Sequence, residues 1–169
     1  MNKLYVLVLV ISIASCDHFK AVTSNNATAY DTVGVKKDIN NAFDSMHLSF
    51  KSRNFNNMLS YLADDGTYLG TDPGEIWTKQ KLGEYLSKAI TDSTKMDYTI
   101  ANRMIMPDED GRSAIVVEQF YITAMSNKMQ VRTVSRADYK NNRWLIDFYS
   151  WNFIPKNEDI PKINAALGK

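Results

Sequence analysis

One carboxylate interrupts a long, largely apolar run of the sequence, where a charged group needs either a partner or a pocket. Glu118 lies between Ala114 and Met125 and shares a face with Phe120, because side chains alternate along a strand. A carboxylate buried there either pairs with an arginine or has a raised pKa, and a raised pKa suits a general base near neutral pH. Arg132 and Arg136, on the next predicted strand, are the expected partners. Both interpretations remain open.

Two further carboxylates occur near aromatic residues. Asp147 is predicted to share a face with Tyr149 and Trp151 in the last strand, where it either lies in an apolar recess or is solvated at an edge. Asp72 precedes Trp77 in a loop rich in Gly and Pro. It either contacts a ligand or caps the turn through its own backbone. Trp77 is correspondingly either a ligand platform or a core residue.

The composition narrows the classes of function. The chain has 20 Lys plus Arg against 19 Asp plus Glu, so it lacks the basic surface expected of a general nucleic-acid binder. One cysteine and two histidines argue against a disulfide framework and a Cys- or His-rich metal centre, so we expect no metal and no cofactor. With 169 residues, 44% of them hydrophobic, the chain is long enough for one domain with a substantial core.

The N-terminus carries the most specific chemical signal. Lys3 is followed by an apolar run from Leu4 to Ile13, which is too short to span a bilayer but has the length of a signal-peptide core. The run ends in Ile13-Ala14-Ser15-Cys16, which resembles a bacterial lipobox, and Cys16 is the only cysteine in the chain. The alternative is an ordinary secretory signal with an incidental cysteine.

The lipobox resemblance implies cleavage before Cys16 and diacylation of its sulfur. Residues 1–15 would then be the signal peptide, and residues 16–34, rich in Asn, Thr, Ser and Ala, a flexible tether. The membrane becomes a partner through the lipid, and the expected location is the bacterial cell envelope, outside the cytoplasm. Several acyl chains anchor a protein far more firmly than one.

The remaining residues, 35–169, are predicted to form helices first and strands afterwards. Apolar residues at a helical period start at Val35 and define a long first helix with Ile39, Phe43, Met46 and Phe50 on its buried face. Asn54 and Thr78 are the predicted caps of two shorter helices, the first of which is expected to end at residues 64–66. After residue 95 the period changes to two, which indicates hairpin-linked strands and an α+β domain with an antiparallel sheet.

Two stretches resemble the SnoaL-like branch of the nuclear-transport-factor-two-like superfamily. The first runs from Ala63 through Gly70-Thr71-Asp72-Pro73-Gly74 to Trp77, and the second comprises residues 144–150 with the tail 154–158. The resemblance covers about residues 35–168. It implies a cone in which a curved sheet wraps around the long helix, with a pocket at the mouth of the cone.

The resemblance leaves three functions open, because one fold serves many functions. The first is binding of a small apolar or aromatic ligand, with the cavity candidates Tyr68, Asp72, Trp77, Glu118, Arg132, Asp147 and Trp151. The second is an isomerase, dehydratase or cyclase in which Asp147 or Glu118 is the base. The third is a protein-interaction module that dimerises through its sheet. Binding is the preferred interpretation, because no complete set of acid and base groups is visible in the sequence.

Overall fold

A long first helix, α1 (Thr32–Lys51), lies against the sheet in the computed structural model, which describes residues 30–91, 93, 94 and 96–168. Its buried residues include Ile39, Phe43 and Met46, which confirms the predicted apolar stripe. The helix begins three residues earlier than expected, because the Asp31 carboxylate accepts hydrogen bonds from the Val33 and Gly34 amides and caps it. Residues 32–34, which were predicted to be part of a tether, therefore belong to α1.

Two shorter helices precede the main part of the sheet. Asn54 caps α2 (Phe55–Ser60) and Thr78 caps α3 (Lys79–Ala89), as predicted. The expectation that α2 ends at residues 64–66 was wrong, because these residues belong to strand β1 (Leu62–Leu69). A two-residue strand, β2 (Ile76–Trp77), pairs with the end of β1. This pairing closes the loop that contains Asp72.

The sheet combines β1 and β2 with four longer strands: β3 (Tyr98–Pro107), β4 (Ser113–Ile122), β5 (Ser126–Lys140) and β6 (Arg143–Ile154). The strand order is β2-β1-β6-β5-β4-β3, and every neighbouring pair is antiparallel except β1 with β6. A 3-10 turn (Asn157–Asp159) and α4 (Ile160–Leu167) follow. The α+β class with a curved, mainly antiparallel sheet is confirmed.

A bulge in β3 changes which of its side chains face the core. The register shifts between Ile100 and Asn102, so that one extra residue is inserted into the strand. Beyond the shift Arg103 faces α1, whereas Met104 and Met106 are about half-exposed on the outer face. Uninterrupted alternation predicts the opposite for the two methionines, because one inserted residue moves every later side chain to the other face.

A second bulge has the same consequence in β6. The register with β5 shifts between Arg136 and Ala137, which leaves Asp147 as the extra residue of β6. Trp144 and Ile146 face the core before the bulge, and Tyr149 faces it afterwards. The prediction that Asp147 shares a face with Tyr149 and Trp151 was therefore wrong.

The predicted signal peptide, residues 1–15, and Cys16 lie outside the described residues, as does the predicted tether up to residue 29. None of the helices that the structure describes is long and apolar enough to cross a membrane.

Candidate functional site

An apolar cavity of about 220 Å³ opens between α3, the end of α1 and the inner face of the sheet. Tyr68, Trp77 and Trp151, three of the residues proposed from the sequence, line it. Aromatic side chains dominate its wall: Phe50, Tyr68, Trp77, Tyr85, Tyr149 and Trp151. An engineered apolar cavity of roughly 150 Å³ holds benzene, so this one has room for a single ring with a short substituent.

The loop between β1 and β2 places Glu75 at the mouth of the cavity. The Asp72 amide donates a hydrogen bond to Glu75 Oε2 over 3.1 Å. The backbone of Gly70 lies so close that a Cβ atom there would be 2.0 Å from the same oxygen and 2.7 Å from the Trp77 ring. Only glycine fits at this position. Among the described residues that line the cavity, Glu75 is the only one with a charged side chain.

Asp72 itself shapes this loop and does not line the cavity. Its carboxylate accepts a hydrogen bond from the Gly74 amide over 2.8 Å, and its side chain is exposed. This is the turn-capping alternative considered for Asp72. Across the mouth, the rings of Trp77 and Tyr85 stack with centroids 4.7 Å apart. Burial and the nearby charge of Glu75 raise the pKa of the Tyr85 phenol.

Three buried hydroxyl groups lie together on the inner face of β5 and β6. Ser135 is opposite Tyr149 in the register, and Thr133 is opposite Trp151. None of the hydroxyls of Thr133, Ser135 and Tyr149 has a hydrogen-bond partner of good geometry among the described residues. Tyr149 also lines the cavity, and burial raises its pKa well above the ordinary value.

Glu118 lies at the centre of a separate buried network and is fully buried. Its Oε2 is 2.8 Å from His47 Nε2, and its Oε1 accepts a hydrogen bond from Arg103 Nε over 2.7 Å. The other nitrogen of His47, Nδ1, is 2.7 Å from the Tyr98 hydroxyl. The prediction that Glu118 pairs with Arg132 or Arg136 was wrong, because both arginines face outward on β5 whereas the β3 bulge directs Arg103 inward.

The network keeps Glu118 ionised. Burial by itself raises the pKa of this carboxyl, but the hydrogen bond and charge of His47 and the charge and hydrogen bond of Arg103 together hold it below its ordinary value. Arg103 Nη1 also donates to Asn40 Oδ1 and to Asp44 Oδ1, which joins α1 to β3. A carboxylate that is ionised at neutral pH and hydrogen-bonded to two side chains orders the core and is a poor proton acceptor.

One aromatic layer separates this network from the cavity. The Phe120 ring is 5.0 Å from that of Tyr98 and 5.5 Å from that of Trp151, measured between centroids. Trp151 lines the cavity, whereas neither Glu118 nor His47 does. A ligand in the cavity therefore meets aromatic surface and not the buried carboxylate.

Asp147 lies in a polar recess on the outer face of the sheet. It accepts two hydrogen bonds from Arg136, of which the one from Nε measures 2.8 Å, and Lys140 Nζ is 3.9 Å away. Asp138 lines the same recess. Arg132 is exposed on the outer face of β5, opposite Asn152, and lines neither recess. The structure does not support ligand contact in the cavity by four of the candidates, namely Asp72, Glu118, Arg132 and Asp147.

His47 and Arg103 were not among the candidates proposed from the sequence. His47 follows Phe43 by four residues and precedes Phe50 by three, so it lies on the buried stripe of α1 and its spacing could have identified it. The spacing of residues in the sequence could not have identified Arg103, because its side chain faces inward only as a result of the bulge in β3. Within the described part of the chain, no three His, Cys, Asp or Glu side chains converge as they would around a metal ion.

Comparison with known proteins identifies one matching family. The model of the SnoaL-like domain matches residues 39–150, which include most of α1 and nearly the whole sheet. No curated protein sequence matches the chain.

Solved structures with the same fold come from several bacteria. An NTF2-like protein of unknown function from Pseudomonas putida KT2440 is similar at 10% identity, with 75% of this chain and 92% of that chain covered and a TM-score of 0.62. A protein of the DUF3225 family from Pectobacterium atrosepticum is 15% identical, with coverages of 72% and 92% and a TM-score of 0.61. A cystatin-like fold protein from Nostoc punctiforme is 16% identical, with the same coverages and a TM-score of 0.56. At these identities the similarity shows the fold alone.

Proposed function

Because this chain belongs to the SnoaL-like domain family of NTF2-like folds, we propose that its cavity binds a small apolar or aromatic ligand without chemical conversion. The observation that carries the proposal is the aromatic wall of a cavity of about 220 Å³. Ligand sites are typically apolar clefts with a few placed polar groups. Here the polar residues of the wall include Glu75 and Tyr149.

Binding is favoured over acid–base catalysis by the positions of the two candidate bases. Glu118 is paired with Arg103 and His47 behind Phe120, and Asp147 is paired with Arg136 on the outer face. A general base has to come within hydrogen-bond reach of the proton that it abstracts. Neither carboxylate lines the cavity that a substrate would occupy.

The test uses the full-length chain, kept in solution by an amphipol because of the apolar run at its N-terminus. The amphipol does not disturb the measurement of tryptophan fluorescence, because it contains no tryptophan. Alkylbenzenes from benzene to butylbenzene are titrated while the tryptophan emission is followed, because two of the three tryptophans, Trp77 and Trp151, line the cavity. We expect saturable binding that is strongest for a short alkyl chain, since the cavity volume limits the length. Absence of saturable binding across the series would contradict the proposal.

A matched pair of variants locates the binding. Ala124 lines the cavity, so Ala124→Phe should fill it and weaken binding at least tenfold. Ala166 is exposed on α4, away from the cavity, so Ala166→Phe adds the same side chain and should leave the affinity unchanged. Equal affinities in the two variants would place the binding elsewhere.

We further propose that the domain is tethered outside the cytoplasm by acyl chains on Cys16. The support is the coincidence of the apolar run, the small residues and the only cysteine in the chain. Mass spectrometry of the membrane fraction should identify a diacylglyceryl cysteine as the mature N-terminus. Cys16→Ala should leave the chain unprocessed or released. A mature protein that retains Met1 would contradict the assignment.

A second candidate function is assembly through the outer face of the sheet. Met104, Met106, Ile115 and Tyr121 expose apolar surface there, on neighbouring strands β3 and β4. Contiguous apolar patches of this kind often mark contact sites. Light scattering of the full-length chain should then give a dimer that Met104→Lys dissociates. A monomer at all concentrations would exclude this function.

A further inference from the structure

The mouth of the cavity combines a fixed negative charge with aromatic rings. Glu75 is held by the Asp72 amide and packs on Gly70 beside the Trp77 ring, so its position is set before any ligand arrives. Within the described residues, Glu75 forms no ion pair with a lysine, arginine or histidine. A carboxylate without a cationic partner, next to an apolar cavity, attracts a positively charged group.

The rings beside Glu75 favour the same charge. Trp77 and Tyr85 stack at the mouth with an interplanar angle of 26°, and both line the cavity. The face of an aromatic ring attracts cations, most strongly in tryptophan, and quaternary ammonium ligands are commonly recognised in this way. The exposed carboxylate of Asp72 lies in the same loop and adds a second negative charge near the entrance.

The interior of the cavity has the opposite character. Beyond Glu75, the charged side chains of the described residues do not reach its wall, which is built from aromatic and aliphatic groups such as Phe50, Met58 and Trp151. A ligand complementary to the whole site therefore has an apolar body inside and one positive charge at the mouth. The volume of about 220 Å³ limits the body to a single ring with a short chain.

We propose that the cavity binds a small organic cation, an apolar body with one ammonium group, whose charge lies at Glu75 beside Trp77 and Tyr85. This inference rests on the proposed binding function and names the chemical class of its ligand. The ammonium interacts with the carboxylate and with the ring faces at the same time. The apolar body displaces water from the aromatic interior.

The experiment compares two compounds of nearly the same shape. Phenylethyltrimethylammonium carries the charge, and 3,3-dimethylbutylbenzene replaces its nitrogen by carbon and is neutral. Both are titrated by calorimetry into the full-length chain in amphipol, with 3-phenylpropionate as the anionic comparison. We expect the cation to bind at least tenfold more tightly than the neutral compound and the anion to bind most weakly. The preference for the cation should decrease in 1 M NaCl, because the mouth is open to solvent.

Two carboxylate-to-amide variants test whether the charge of Glu75 causes the preference for the cation. Glu75→Gln should abolish the preference for the cation while the neutral compound keeps its affinity. Glu84 is exposed on α3 outside the cavity wall, so Glu84→Gln removes one negative charge from the same region and should keep the preference. Circular dichroism of the variants verifies that they are folded. The wild-type comparison of the compounds does not depend on either variant.

The outcomes separate the two proposals. If neither the cation nor the neutral compound binds, the proposed binding function fails together with this inference. If both bind with equal affinity, the cavity binds ligands but the assignment of a cation is wrong. A preference for the cation that persists in Glu75→Gln would overturn the role of Glu75. A preference for 3-phenylpropionate would overturn the charge itself.

Discussion

Two arginine–carboxylate pairs lie on opposite faces of the same sheet and differ in what surrounds them. Inside, Glu118 and Arg103 expose 0% and 10% of their side chains, and both have further partners on α1. Outside, Asp147 exposes 8% but its partner Arg136 exposes 53%. The same chemical contact therefore has different energetic consequences. Removing Glu118 leaves a buried arginine whose remaining carboxylate partner, Asp44, is largely exposed, whereas removing Asp147 leaves an arginine that water can solvate.

The largest effect should follow from breaking the inner pair. Glu118→Gln keeps the shape of the side chain but removes the buried one of the two carboxylates that compensate Arg103, and it weakens the contact with His47. Loss of one partner of a buried ion pair costs about 3–5 kcal/mol. Urea unfolding followed by circular dichroism should show a loss of this size in the free energy of unfolding. A loss below about 1 kcal/mol would mean that water reaches Arg103 and that the two pairs are equivalent.

Acid should destabilise the fold by protonating Glu118, the carboxylate of the inner pair. The pKa of Glu118 is lower in the folded chain than its ordinary value of 4.5, so the unfolded chain binds the proton more readily between the two values. The stabilising contribution of Glu118 is therefore complete above about pH 4.5 and is lost as the pH falls through the folded value. Urea midpoints from pH 6 to pH 3 should fall more steeply in the wild type than in Glu118→Gln. Parallel curves would contradict this assignment.

A smaller effect is expected from the outer pair. Asp147→Asn removes the charge facing Arg136 but leaves a side chain that can still accept a hydrogen bond. Since the arginine is half-exposed, we expect a loss of about 1 kcal/mol or less in the free energy of unfolding. The same urea measurement applies. If Asp147→Asn lost as much free energy of unfolding as Glu118→Gln, the loss would depend on the burial of the carboxylate alone. The exposure of the arginine partner would then have no influence.

Added salt should have the smallest effect on the free energy of unfolding, but it should distinguish the exposed ion pair from the buried one most clearly. Screening weakens exposed ion pairs much more than buried ones. Raising NaCl from 0.05 to about 1 M should therefore reduce the cost of Asp147→Asn and leave the cost of Glu118→Gln nearly unchanged. Equal salt dependence in the two variants would indicate that both pairs are equally accessible to ions.

The parts of the fold that follow local rules were predictable from the sequence. The stripe of α1 and the caps Asn54 and Thr78 depend on residues within one or two turns, and the structure confirms them. The change of period after residue 95 correctly indicated the strands. Tyr68, Trp77 and Trp151 were placed at the cavity by the family resemblance, and all three line it.

The two bulges explain what the sequence did not reveal. A strand pattern fixes which face a side chain occupies only while the alternation is unbroken. In β3 the inserted residue reverses Arg103 and Met104, and in β6 the consecutive aromatics Phe148 and Tyr149 hide the reversal at Asp147. The partner of Glu118 was therefore assigned to β5 and not to β3. Single insertions of this kind depend on strand pairing and leave no periodic signal.

The one parallel pairing in the sheet determines when the fold can be completed. Strand β1 is made early, but its neighbour β6 is nearly the last element of the chain, and Tyr68 lies opposite Tyr149. Contacts between segments so distant in sequence form slowly, because most of the intervening chain has to be ordered first. During synthesis, β1 thus remains without this partner strand until β6 has emerged. Truncation before Arg143 should leave an aggregation-prone chain, since β1 and β5 both lose the strand that pairs with them.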